Sequence, residues 1–145
     1  MTGFLLAPTA IATQIMLGPS ILDGAIGFSY PAALAAEQNS SGFQTITGEQ
    51  LSQMLLRKDF FFVNVHIPYA GQIDGTDAFI PYDKIAQNLD KLPADKRAKI
   101  VLYCRSGRMS EIAAEQLSKL GYLHVSHLSG GMIAWQASGR ALTEH

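Results

Sequence analysis

The sequence predicts an α/β domain in which a central parallel sheet is flanked by helices on both faces. Residues 60–65 form a nearly continuous apolar run of strand length, which is typical of a strand covered on both faces. Residues 100–103 form a second such run, and a polar turn with a glycine leads from it into a helical pattern. Strands and helices alternate along the chain, and this order indicates a parallel sheet.

Two helices are expected before the second apolar run. Thr47 and Gln50 have the spacing of a capping box, and apolar residues at helical spacing follow, so a short helix is predicted to end near Lys58. Asp83 is predicted to cap a second helix, which ends at Leu92 before a proline. The charged residues that follow are interpreted as a solvated link to the next strand.

The C-terminal elements continue the alternation. After the glycine-bearing turn, apolar residues recur at helical spacing until Gly121, which stands at the C-terminal cap position. Residues 122–128 predict the next strand. Gly130 and Gly131 then permit a tight turn into a short helix, whose Trp135 we expect to fill the core between this helix and the sheet.

Cys104 is the only cysteine of the chain and stands where the second apolar run gives way to a helix. A helix N-terminus presents unpaired N–H groups and a partial positive charge, and both favour a thiolate over a thiol. Arg105 and Arg108 are expected to flank the sulfur, and Gly107 lets successive N–H groups point inward around an anion. Cys104 is therefore predicted to be a nucleophile, the alternative being a buried and inert cysteine at a strand end.

Two motifs carry a resemblance to a known family. Residues 104–110 read Cys-Arg-Ser-Gly-Arg-Met-Ser directly after an apolar strand. Residues 128–135 read Leu-Ser-Gly-Gly-Met-Ile-Ala-Trp and are followed by Gly139. In this order and at this separation they resemble the active-site loop and the closing signature of the single-domain rhodanese-like sulfurtransferases. The resemblance covers about residues 43–142.

The resemblance implies a rhodanese-like fold and an enzyme that moves sulfane sulfur from a small anionic donor such as thiosulfate to a thiophilic acceptor, cyanide or a thiol. It implies Cys104 as the catalytic residue, which cycles between thiolate and persulfide. The expected substrate-binding loop consists of Arg105, Ser106, Gly107, Arg108, Met109 and Ser110. The alternative is a non-catalytic rhodanese-like module that binds a partner or carries sulfur.

The chain departs from the family's pattern after its first apolar run. Family members usually carry Asp-x-Arg at the end of this strand, whereas this chain has Asn64 and His66. Farther along, Gln72 replaces the histidine of the family's Gly-His-Ile motif. Neutral or weakly titrating groups thus replace a charge pair behind the loop. We interpret His66 as a hydrogen-bonded structural residue rather than a catalytic base.

Composition argues against several other classes of function. The 145 residues carry a net charge of -1 and no basic run, so no nucleic-acid partner is expected. A single cysteine excludes an intramolecular disulfide and Cys-x-x-Cys redox chemistry. His124 and His127 are an odd number of residues apart, so on a strand they face opposite sides and make a poor metal pair. We expect neither a metal nor a cofactor.

Cysteine phosphatases and arsenate reductases use a similar loop, but it holds five residues between the cysteine and an arginine. In this chain the sixth residue after Cys104 is Ser110, and Arg108 comes too early. A histidine often precedes the cysteine in phosphatases, and here Tyr103 does. These differences disfavour phosphatase activity.

Residues 1–42 differ in kind from the rest of the chain. They are rich in small and aliphatic residues, with Asp23 and Glu37 as their charged residues, and we predict a leader or arm with its linker, ahead of a domain at residues 43–142. Three interpretations stay open: an export signal, an apolar arm on the domain or a partner, and a membrane-associating segment. Contact with a membrane or protein is assigned to residues 1–36, and a periplasmic or exported location is slightly favoured over a cytoplasmic one.

Overall fold

The computed structural model describes residues 37–38 and 42–144. The predictions made for the leader therefore lie outside the described residues, except at a short strand. The helices and strands are β1 (Glu37–Gln38), β2 (Gln44–Ile46), α1 (Gly48–Leu55), β3 (Phe61–Asn64), β4 (Ala78–Phe79), β5 (Lys99–Tyr103), α2 (Arg108–Lys119), β6 (His124–Leu128) and α3 (Gly131–Ala137).

The strands form one sheet in the order β1-β2-β6-β5-β3-β4. Five neighbouring strands are mutually parallel, in the order β2, β6, β5, β3 and β4. Strand β1 pairs with β2 in the antiparallel direction at one edge. The first and second apolar runs become β3 and β5, which are neighbours in the sheet. The predicted parallel α/β architecture is confirmed.

Helices cover the sheet on both faces, as predicted. On one face, Leu51 of α1 and Trp135 of α3 pack in a core that contains Phe62. On the opposite face, Leu117 of α2 packs in a second core that contains Val63. Consecutive residues of β3 thus face opposite sides, as strand geometry requires. Both residues are fully buried, which explains why that strand reads as a continuous apolar run.

The first helix begins as the sequence predicts. The Thr47 hydroxyl accepts the amide of Gln50 at 3.1 Å, and the Gln50 side chain accepts the amide of Thr47 at 2.8 Å. This reciprocal pair satisfies two N–H groups that the first turn would otherwise leave free. The helix ends at Leu55, slightly before the predicted end near Lys58.

The prediction of a helix that begins at Asp83 and ends at Leu92 is wrong. Two short 3-10 turns take its place, Tyr82–Lys84 and Leu89–Lys91. Asp83 lies inside the first turn and caps nothing. Between the turns, the Asn88 side chain donates to the carbonyl of Lys84 at 2.8 Å, and its backbone leaves the helical region. An asparagine that bonds the local backbone in this way competes with a continuous helix.

The described part of the chain contains no helix that combines the length and the apolar character needed to cross a bilayer.

Candidate active site

Cys104 lies directly after β5, at the edge of the sheet where the parallel strands end. The polar turn of residues 104–107 connects β5 to α2, so the cysteine stands between a strand and a helix N-terminus as expected. The residue is 1% exposed and belongs to the core beneath α2. Crevices at the carboxyl ends of parallel strands are the usual ligand sites of open α/β sheets.

The sulfur has two hydrogen-bonding neighbours, one in its own turn and one in the first turn of α2. The amide of Gly107 donates to Sγ at 3.0 Å, and the Ser110 hydroxyl lies 3.7 Å from Sγ. Gly107 has a φ of 106°, a left-handed conformation in which a side chain is strained. A Cβ there would also lie 3.2 Å from the amide nitrogen of Gly130. The conformation that brings this amide to the sulfur therefore favours glycine.

The N-terminus of α2 adds to this environment. Gly107 is the N-cap residue, and no side chain caps the helix. The first-turn amides, which begin at Arg108, have no acceptor within the helix itself. The partial positive charge of a helix N-terminus favours an anion beside it. The turn thus offers an anion both a fixed amide and the favourable end of a helix dipole.

Helix α3 fixes the cysteine turn from the other side. The amide of Met132 donates to the Cys104 carbonyl at 2.9 Å, and the amide of Ile133 donates to the Arg105 carbonyl at 3.0 Å. A Cβ on Gly131 would lie 2.3 Å from the Cys104 carbonyl oxygen, so only glycine permits this approach. Sequence reasoning predicted a tight turn at the glycine pair but missed that α3 holds the cysteine turn. The glycine pair itself was the available signal.

The two arginines of the loop lie at its surface. Arg105 and Arg108 are exposed, and neither forms a hydrogen bond or ion pair with the residues that the structure describes. Neither guanidinium group forms a hydrogen bond to Sγ, and the expectation that both flank the sulfur stays a prediction. Backbone and hydroxyl groups contact the sulfur, and the cations lie at the surface of the same loop. Ser106 is also exposed, and Met109 is half-buried.

Asn64 and His66, the departures noted in the sequence, organise the segment after β3. The buried Asn64 side chain donates to the Gly71 carbonyl and accepts the His66 amide, each at 3.0 Å. The interpretation of His66 as a hydrogen-bonded residue is wrong for its imidazole. Its Nδ1 is buried and has no hydrogen-bond partner among the described residues. Burial lowers the pKa of His66, and the charge of Arg105 lowers it further. Asn64 therefore holds the backbone at the position where the family's pattern has a charged residue.

His127 reaches the site from β6, which sequence reasoning considered only as a source of metal ligands. Its Nδ1 lies 3.0 Å from the Ser110 hydroxyl, and the ring is 5% exposed. Burial lowers the pKa of His127, and the negative charge of Glu111 opposes this shift. Across the described residues, no cluster of three or more His, Cys, Asp or Glu side chains could hold a metal ion.

Comparisons with known proteins identify the family. Residues 55–138 match the rhodanese-like domain. A sulfurtransferase of Allochromatium vinosum is 36% identical over 99 residues, which cover 65% of this chain and 89% of that protein. A tRNA uridine(34) hydroxylase of Hamiltonella defensa is 30% identical over 98 residues, 63% of this chain and 28% of the relative.

A solved structure agrees with these matches. The crystal structure of a rhodanese-related protein from Thermoplasma volcanium has a TM-score of 0.58 and 26% identity, covering 68% of this chain and 95% of that one. The fold, the matched residues and the similarity to a sulfurtransferase along most of its length lead to one assignment. The chain belongs to the rhodanese-like domain family.

Proposed function

We propose that this protein is a sulfurtransferase that carries sulfane sulfur as a persulfide on Cys104. The observation that supports the proposal most is the position of Sγ, which accepts the Gly107 amide at 3.0 Å beside the uncapped N-terminus of α2. An amide and a helix N-terminus stabilise a sulfur anion more than a neutral thiol. A thiolate is the form of cysteine that attacks sulfur.

In the first step, the Cys104 thiolate attacks the terminal sulfur of a donor such as thiosulfate. A new S–S bond forms between Sγ and that sulfur, and the S–S bond within thiosulfate breaks. Sulfite leaves with the bonding electron pair, and the enzyme holds a cysteine persulfide anion. No proton is transferred, so this step requires no general base.

In the second step, a thiophilic acceptor removes the outer sulfur. Cyanide attacks that sulfur through carbon and becomes thiocyanate, while the S–S bond breaks and its electron pair returns to Sγ as the thiolate. An acceptor thiolate reacts in the same way and leaves as a persulfide. The cysteine is restored in the same oxidation state, so the cycle needs no external oxidant or reductant.

The residues of the loop have separate roles in this proposal. The amides of residues 105–110, of which that of Gly107 donates to Sγ, hold the persulfide anion, since main-chain N–H groups in a tight turn bind anions. The exposed guanidinium groups of Arg105 and Arg108 attract the anionic donor and stabilise the charge on departing sulfite. The low exposure of Cys104 favours donors that present a terminal sulfur atom rather than a bulky group.

The test measures thiocyanate formed from thiosulfate and cyanide by the full chain. Wild type is expected to turn over, and Cys104→Ser is expected to be inactive, because a serine hydroxyl does not ionise at neutral pH. Mass spectrometry of wild type after incubation with thiosulfate alone should show the gain of one sulfur atom, which cyanide then removes. Full turnover by the serine variant would contradict the proposal.

A second candidate is a sulfur-carrier or binding module. Cys104 is almost fully buried, and the chain spans only about a quarter of the hydroxylase relative, in which the similar region is a part of a longer protein. A carrier would gain one sulfur atom from a donor but turn over slowly with cyanide. A binding module would gain none. The mass measurement identifies a binding module, and the rate of thiocyanate formation separates a carrier from an enzyme.

A further inference from the structure

A chain of hydrogen-bonding side chains leads from the cysteine sulfur across α2 to the strands behind it. Sγ of Cys104 lies 3.7 Å from Oγ of Ser110, and this oxygen lies 3.0 Å from Nδ1 of His127. On the other side of the imidazole, Nε2 lies 3.3 Å from Oγ1 of Thr45. Cys104, Ser110 and His127 are 1%, 0% and 5% exposed, so solvent does not compete for the contacts among these three side chains.

The number of hydrogens limits what Ser110 can do. Its hydroxyl carries one hydrogen and has three neighbours that accept one: the Gly107 carbonyl oxygen at 3.1 Å, Nδ1 of His127, and the sulfur. If Nδ1 carries no hydrogen, the hydroxyl donates to the imidazole or the carbonyl, and its lone pairs face the sulfur. If Nδ1 carries a hydrogen, the imidazole donates to Ser110 instead. Only then does Nδ1 no longer compete with the sulfur for the Ser110 hydrogen.

The surroundings of the imidazole favour a neutral ring. Oγ1 of Thr45 lies 3.3 Å from Nε2, and when this hydroxyl donates to Nε2, the ring carries its hydrogen on Nδ1. Phe43 packs edge-on against the ring, with 5.6 Å between centroids. Among the described residues, Glu111 of α2 is the charged group that acts on the ring, and burial outweighs its charge.

We propose that His127 is a positioning residue that directs the Ser110 hydroxyl toward the sulfur and so gives a Cys104 anion a second hydrogen bond beside that of Gly107. The inference rests on the proposed function, because the anion is the attacking species of the sulfur transfer. His127 does not touch the sulfur and accepts no proton from it. In this arrangement Nδ1 carries the ring hydrogen and occupies an Oγ lone pair, so that only the Gly107 carbonyl competes with the sulfur for the hydroxyl hydrogen.

The test follows the pH dependence of Cys104 alkylation by iodoacetamide in the full chain, which reports the anion whether or not sulfur is transferred. His127→Leu removes the donor and keeps an apolar side chain in the core. The midpoint of alkylation is expected to rise by about one pH unit, since a hydrogen bond to an ionised group is lost. His127→Asn places an amide nitrogen near the former Nδ1 and is expected to stay within about 0.3 unit of wild type.

Thermal unfolding of both variants separates positioning from packing. Asparagine leaves the volume of the ring unfilled and is expected to destabilise the protein more than leucine does. A packing role would therefore move the alkylation midpoint more in the asparagine variant, and the proposed role moves it more in the leucine variant. The reverse order, or an unchanged midpoint in folded His127→Leu, would overturn the inference.

A double-mutant cycle tests whether His127 acts through Ser110. Ser110→Ala removes the hydroxyl, and adding His127→Leu to it is expected to produce no further rise of the midpoint. Additive shifts would overturn the inference. Should wild type fail to transfer sulfur while these alkylation shifts appear, the proposed function fails and the positioning role stands.

Discussion

Two turns follow neighbouring parallel strands at the same end of the sheet. They have the same backbone arrangement, but the N-terminal amides of the helices after them donate to different acceptors. The turn after β5 enters α2 through Gly107, and the turn after β6 enters α3 through Gly130. Both glycines are N-caps with left-handed φ values, 106° and 73°, and neither helix has a side-chain cap. A strand, a glycine and a helix thus occur twice in the same arrangement.

The two helix N-termini use their amides differently. Those of α3, at Met132 and Ile133, donate to the carbonyls of Cys104 and Arg105. At the start of α2, the Gly107 amide donates to the sulfur of Cys104. A helix N-terminus is a candidate anion site only when protein carbonyls leave its amides available. The second turn fixes the first, and only the first carries a nucleophile.

The largest effect is expected from removing that nucleophile. Cys104→Ser should lower thiocyanate formation at least about a thousandfold, because loss of a covalent nucleophile leaves only binding and electrostatic contributions. Ser106→Ala is the matched control, since Ser106 is exposed in the same turn. Its rate should stay close to wild type. Comparable losses in both variants would show that the turn's shape, rather than the sulfur, matters.

The second largest effect is expected from a substitution that breaks the contact between the two turns. Gly131→Ala places a Cβ against the carbonyl oxygens of Cys104 and Arg105, so the backbones must separate. We expect a loss of about 3 kcal/mol or more in the free energy of unfolding, measured by urea denaturation, together with loss of sulfur transfer.

Gly139→Ala is the control for this variant. Gly139 also has a left-handed φ, 89°, but a Cβ there would meet nothing within 4 Å. It should lose only the conformational term of about 1–2 kcal/mol. Equal losses at the two glycines would contradict the claim that α3 fixes the cysteine turn.

A smaller effect concerns the cations that only the first turn presents. Arg105→Ala and Arg108→Ala should each raise KM for thiosulfate about three- to tenfold at low salt, with smaller changes at high salt, since screening weakens exposed charges. Arg97→Ala removes an exposed cation that precedes β5, at the opposite edge of the sheet, and should leave KM unchanged. Equal effects of all three substitutions would indicate a general influence of net charge.

The smallest effect concerns the pH dependence of the free energy of unfolding, to which two histidines with lowered pKa values contribute. His66 and His127 have pKa values lowered below 6.5 by burial, so the unfolded chain binds protons more readily than the folded one. This stability is complete above pH 6.5 and is lost as the pH falls toward the folded pKa values. The free energy of unfolding should therefore decrease as the pH falls below 6.5.

His127→Asn should make that decrease shallower, as measured by urea unfolding at a series of pH values. His124→Asn is the control, because His124 is exposed on the same strand. An identical slope in His127→Asn and wild type would contradict the assignment of His127 as a buried neutral histidine.

Sequence reasoning predicted most of what depends on neighbours along the chain. The capping box at Thr47 and the apolar run of β3 each have a local signal, and the structure has both. The position of Cys104 between β5 and α2 follows from an apolar run that ends at a glycine-bearing turn. The helix expected at Asp83 failed although it had local signals, because Asn88 bonds the backbone of the preceding turn.

The parts of the site that sequence reasoning missed depend on residues far apart in the chain. Met132 and Cys104 are joined by a backbone hydrogen bond, and any residue with an N–H group can supply one. Ser110 and His127 lie 17 residues apart, on α2 and β6, and the packing of α2 against β6 brings them together. No local pattern indicates that a given imidazole faces a given hydroxyl.

The shape of the cysteine turn comes from main-chain groups, while its outward side chains at Arg105, Ser106 and Arg108 are exposed. Recognition and architecture are therefore separable in this fold. Substitutions at Arg105 and Arg108 can alter which donors are attracted without changing the main-chain structure beneath them. Domains of this fold can therefore differ in the donors that they attract while the main-chain structure around the sulfur stays the same.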